Sequence, residues 1–151
     1  MSFKIKLISS IVFLIASQNV LANKELIQSN ETNDKFLITD TIKKINTEED
    51  IYQYWTEMVV KKDMYRDGKL EIAKDTTAKF ITELNCKKET YKIVKLIEYN
   101  KNGEVIRDSG RIAEAEILDI PPETSIKEIK QRICKGDNSK NIKPLKLFKN
   151  S

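Results

Sequence analysis

The chain has 151 residues, 33% of them charged and 40% hydrophobic, with no histidine and a formal net charge of +4, which is the size of a single domain. Without histidine, His-bearing zinc sites and Ser–His or Cys–His nucleophile pairs are excluded. Gly68, Gly103, Gly110 and Gly136 fit neither GxGxxG nor GxxxxGK[ST], so a phosphate-cradling loop is set aside. No cofactor and no metal is expected.

At the N-terminus, Lys4 and Lys6 precede a mostly apolar run from Leu7 to Ala16 and then Val20-Leu21-Ala22, the pattern of a cleavable secretory signal over residues 1–22. Ser9, Ser10, Ser17 and Gln18 interrupt the run before it reaches the roughly 20 apolar residues of a membrane span, so no transmembrane anchor is expected. No cysteine stands at the cleavage point, and lipid attachment is therefore not expected either. Loss of Lys4 and Lys6 takes the net charge to about +2. The address read from this segment is exported, periplasmic or secreted.

A flexible, polar leader is expected over 23–35, a folded domain over 36–136 and a basic flexible tail over 137–151. The tail carries Lys140, Lys143, Lys146 and Lys149 against Asp137. Elsewhere lysines are interspersed with acids, and four of the 27 basic residues are arginine. Nucleic-acid binding relies on clustered cations, so a nucleic-acid partner is not expected.

From Ile51 to Val60, Tyr52, Tyr54, Thr56, Met58 and Val60 share one face at period two, and the β-branched and aromatic content predicts a strand. Trp55 falls on the opposite face with Gln53 and Glu57. Thr77 to Asn85 predicts a second strand leading into Cys86. Tyr91 to Tyr99 predicts a third, with Tyr91, Ile93, Ile97 and Tyr99 on one side. Asn102-Gly103 then supplies a hairpin turn back along Glu104 to Asp108. After Pro121-Pro122, Ser125 and Glu128 read as a capping box, and Ile126, Ile129, Ile133 and Cys134 form an apolar helical stripe ended by Gly136. In an exported chain, Cys86 and Cys134 are expected to form a disulfide. The bond would clamp the helix onto an antiparallel sheet, an α+β fold.

These segments resemble the surface-adhesin protein E-like domains of Gram-negative bacteria. The resemblance runs from about Phe36 to Cys134 and is carried by Asp40-Thr41-Ile42, Trp55, the run Leu84 to Tyr91, the run Glu98 to Val105, the run Ile120 to Ser125 and Ile133-Cys134. It implies an antiparallel sheet of about six strands with a C-terminal α-helix packed on one face and tied by a disulfide. It also implies adhesion to host extracellular-matrix and serum proteins, and dimerisation. Gly110 to Asp119 departs from the family pattern, with alanines and acids where a tryptophan is expected.

The function expected is therefore a non-enzymatic binding protein engaging a protein partner of unknown identity, with a host extracellular-matrix protein as one candidate. It would act through its sheet face or edge, and a homodimer would fit such an edge. Trp55, Tyr52 and Tyr54 are the candidate binding face. The alternatives are a periplasmic inhibitor or immunity-type protein and, behind it, a small hydrolase. Glu49-Asp50 and Glu114/Glu116 are the carboxylate pairs open to a hydrolase, but their pattern shows no burial that would tune an acid and a base.

Overall fold

Alternating side chains along extended segments generate most of the architecture. A computed structural model describes residues 23–135. The predicted signal 1–22, the helix-ending Gly136 and the basic tail 137–151 lie outside the described residues. The strands in chain order are β1 (Lys24–Ser29), β2 (Asn33–Asn46), β3 (Ile51–Val60), β4 (Met64–Arg66), β5 (Lys69–Ile72), β6 (Thr77–Asn85), β7 (Thr90–Tyr99), β8 (Val105–Asp108) and β9 (Leu118–Asp119). One helix, α1 (Ser125–Cys134), follows them. The main sheet runs β1-β2-β3-β6-β7-β8, antiparallel throughout, and β9 adds to β7. The strands β4 and β5 form a separate hairpin.

The segment expected as a flexible leader, 23–35, instead contributes β1 and the start of β2. Lys24 pairs with Ile38 and Leu26 with Phe36, and Ile27 is buried in the core. Ladder hydrogen bonds are made by the backbone and do not require an apolar pattern. A register shift between Leu26 and Gln28 breaks the alternation that would have marked this strand. A similar shift corrects β7. The irregularity opposite Ile81/Thr82 leaves Tyr91 and Ile93 on the face of Leu84 and Thr82, but moves Ile97 and Tyr99 to the face of Lys79 and Thr77. The hairpin after β7 turns as expected at Asn102-Gly103. Gly103 sits at φ +81, and Asn100 Oδ1 accepts from the amides of Asn102 and Glu104.

The inner face of the sheet has two covers. At one end α1 lays Ile129 and Ile133 over Ile27, Leu37, Tyr54 and Leu84. At the other, Met64 and Ile72 of the small hairpin pack against Met58, Val60 and Ala78. The helix is capped one residue earlier than predicted. Thr124 is extended and its Oγ1 accepts from the Lys127 amide at 3.3 Å, so Ser125 is the first helical residue and not the cap. Glu128 pairs with Arg132 at 3.0 Å, and Arg132 also reaches Glu25 of β1 at 2.5 Å.

The expected disulfide is present. Cys86, just past β6, bonds to Cys134 at the end of α1, with a Cα–Cα distance of 5.6 Å, inside the range a disulfide spans without backbone movement. A mostly antiparallel sheet with one C-terminal helix tied to it is the α+β fold expected.

Candidate functional site

With the inner face covered by α1 and the hairpin, the outer face is the side of the sheet that presents Trp55. Strand register fixes its rows, because successive side chains point to opposite faces. The central row reads Lys24, Ile38, Trp55, Ile81, Lys95 across β1, β2, β3, β6 and β7. Ile38 is buried, whereas Trp55 and Ile81 are half-buried. The next row toward the β4 end reads Leu26, Phe36, Glu57, Lys79, Ile97, and the row on the other side places Lys43, Gln53, Glu83 and Lys92 together.

Two carboxylates on this face are almost wholly buried by their neighbours. Glu57 is 8% exposed at its side chain and pairs with Lys24 at 2.6 Å and Lys79 at 3.6 Å. Glu83, 7% exposed, takes Lys92 at 3.0 Å, Arg111 at 3.1 Å and the Gln53 amide at 3.2 Å. A buried charge persists only when paired and hydrogen-bonded, and both carboxylates meet that condition. The ammonium groups of Lys24, Lys79 and Lys92 reach these carboxylates from other strands. Lys79 also lies 5.2 Å from the Tyr99 ring centroid, a cation–π distance. The result is an apolar stripe centred on Trp55, framed by ion pairs in which cations outnumber carboxylates.

The three residues proposed as a binding face do not share one. Trp55 is on the outer face. Tyr52 is on the inner face, half-buried against the helix cluster, with Lys44 Nζ 5.1 Å from its ring centroid. Tyr54 is fully buried between sheet and helix and is a core residue, not a contact residue. The period-two pattern placed both tyrosines opposite Trp55, and α1 packs on that side. Burial pushes the Tyr54 phenol pKa well up. Thr82 opposes that shift and Tyr91 adds to it, yet among the described residues the hydroxyl has no hydrogen-bond partner of normal geometry.

Glu49, Glu114 and Glu116 are exposed, and Asp50 is tied to Lys44 at 2.6 Å. The candidate acid–base pairs are thus surface acids. Among the described residues, no group of three or more Cys, Asp or Glu side chains is placed to hold a metal ion, and no helix is long and apolar enough to cross a membrane.

A second feature went unnoticed in the sequence. On the inner face, a cavity of about 110 Å³ opens beside the first turn of α1, lined by Ile27, Lys35, Thr56, Phe80, Ile93 and Ile126 among others. Lys35 Nζ lies 3.4 Å from Ser125 Oγ. The signal available was the alternation Asn33, Lys35, Leu37, which puts a lysine on the buried side of β2.

Comparison with curated proteins finds no match. The profile of the Surface-adhesin protein E family matches residues 24–135, which spans every strand of the sheet, the helix and both cysteines. Family membership carries with it a surface-adhesin binding role and a surface or exported setting. The chain belongs to the Surface-adhesin protein E family.

Proposed function

We propose that this protein is an exported, non-enzymatic binding protein that engages a protein partner through the outer face of its sheet, with Trp55 as the apolar anchor. The observation that carries this reading is the position of Trp55, half-buried between Ile38 and Ile81 in a row framed by ion-paired lysines. Tryptophan is the residue type most enriched at interface hot spots, where a ring of near-neutral contacts excludes water around it. Here Glu57, Glu83 and their lysines form such a ring. Cations outnumber carboxylates on this face, which suits a partner with an acidic surface and makes association salt-sensitive. The family's adhesin role directs the choice of partner to host extracellular-matrix proteins.

Trp55 is the single tryptophan of the chain, so its fluorescence reports the face directly. The test is binding of the oxidised protein to a panel of immobilised matrix proteins at physiological salt, alongside Trp55→Ser. The expected result is saturable binding, a change in tryptophan emission on adding the partner, and at least a tenfold loss in the variant. Unaltered binding by a folded Trp55→Ser protein would refute the reading. Cell fractionation tests the address, since a protein held wholly in the periplasm could not meet a host matrix.

One observation favours a second route on the same molecule. All four residues of β8 are exposed, Val105 at 56% and Ile106 at 57%, and an exposed apolar edge strand can add a strand from a partner or from a second copy. Ile106→Lys separates the routes, because it blocks pairing at the edge and leaves Trp55 untouched.

A further inference from the structure

We propose that the inner-face cavity at the start of α1 is a binding site for a small apolar monocarboxylate, its chain in the cavity and its carboxylate on Lys35. The cavity lies at a seam. Met58 and Phe80, which bound it on one side, belong to the cluster under the β4–β5 hairpin, and Ile27 and Ile129, on the other, belong to the cluster under α1. Neither cover spans the gap. Its volume, about 110 Å³, approaches the ~150 Å³ of an engineered apolar cavity that takes up benzene. A chain or ring of roughly six carbons therefore suits its size.

Charge selects the head group. Phe36 and Glu57 contribute to the lining, but register turns their side chains to the outer face, where Glu57 meets Lys24 and Lys79. Among the described residues that line the cavity, Lys35 is thus the one ionisable side chain directed to it. Among the described residues it has no carboxylate within ion-pair distance, and its polar contact is the Ser125 hydroxyl at 3.4 Å. Burial accordingly holds its ammonium pKa below the ordinary lysine value, with no opposing charge to restore it. Every other buried charge described above has a partner of opposite sign. Ser125 and Ile126 also line the cavity, and as first-turn residues their amides have no intrahelical acceptor by the geometry of a helix start. An ammonium, a hydroxyl and helix-start amides beside an apolar hollow complement an anion with a hydrocarbon tail.

This site is on the opposite face from Trp55 and does not depend on the adhesin reading. The test titrates the oxidised, isotope-labelled protein with hexanoate, using hexanol and hexylamine as head-group controls, and follows amide shifts by NMR. Saturable shifts are expected at Lys35, Thr56, Ser125 and Ile126, with a dissociation constant on the order of 1 mM or tighter for so small a ligand. Hexanol should bind more weakly and hexylamine not at all. Lys35→Met, which keeps the side-chain bulk, should weaken hexanoate at least tenfold, while Lys35→Arg should retain it. Absence of saturable shifts at these residues would overturn the proposal. So would equal binding by Lys35→Met, or hexylamine binding as well as hexanoate.

Discussion

Breaking the Cys86–Cys134 bond should be the most damaging single perturbation of this fold. The two residues are 48 apart in sequence, and restoring that loop's freedom to the unfolded chain is worth about 4 kcal/mol on the chain-entropy account. A domain of this size shifts its melting temperature by roughly 4 °C per kcal/mol, so reduction should lower Tm by about 15 °C. The loss should begin at the helix. A helix of ten residues is shorter than the ~12–15 needed for even marginal stability in water, and α1 is otherwise held by Ile129, Ile133 and the Arg132–Glu25 and Lys130–Glu89 pairs. The assays are thermal melts of oxidised and reduced protein and of a Cys86→Ala/Cys134→Ala variant, with hydrogen exchange in each. Amides of α1 should lose protection first, and those of β3 and β6 last. A reduced protein melting within about 3 °C of the oxidised one, with α1 still protected, would refute the assignment of the bond as the main tether.

Two further outcomes rest on the local geometry. Thr124→Ala should cost about 1 kcal/mol through loss of the acceptor for the Lys127 amide, and Ser125→Ala clearly less. The reverse order in urea melts would place the cap at Ser125. Tyr54 should resist ionisation: its phenol would titrate near 10.0 in the unfolded chain but not in the fold, where burial raises its pKa. Above that pH the folded state holds the extra proton, so stability is intact below pH 10 and falls as pH rises through it, by up to about 1.4 kcal/mol per unit. Of the five tyrosines, one should form tyrosinate only as the protein unfolds, read by ultraviolet absorbance. Tyr54→Phe should remove that step, and its persistence in the variant would exclude Tyr54 as its source.

What the sequence revealed divides along physical lines. Wherever the apolar period runs without a bulge, as in Tyr54, Met58 and Val60 of β3 or Ile129 and Ile133 of α1, the element and its core-facing side were legible. The disulfide was legible too, because two cysteines in an exported chain leave one pairing. Bulges hid the rest. The shift at Leu26/Gln28 masked β1, and the one opposite Ile81/Thr82 divided the tyrosines of β7 between two faces. The proposed binding face was half legible: alternation separates Trp55 from Tyr52 and Tyr54, but which side receives the helix is decided by chain connectivity that no period encodes. No local pattern marks Glu57 and Glu83 as buried, because the cations that cover them come from other strands.

Lys35 stands apart from the paired buried charges of this sheet, and that contrast bears on function. On the outer face each buried carboxylate is met by more than one cation, so the desolvation of Glu57 and of Glu83 is offset within the fold itself. Such a lattice holds Trp55 in a fixed setting, which reduces the side-chain ordering that a partner's arrival would otherwise require. On the inner face Lys35 is desolvated beside apolar side chains without a described counter-charge. A position with only a packing role would be served as well by leucine or methionine, which carry no desolvation penalty. An uncompensated cation at a hollow is therefore better accounted for by an anion that comes and goes than by stability, whereas the compensated charges around Trp55 are accounted for by the rigidity of the surface they build.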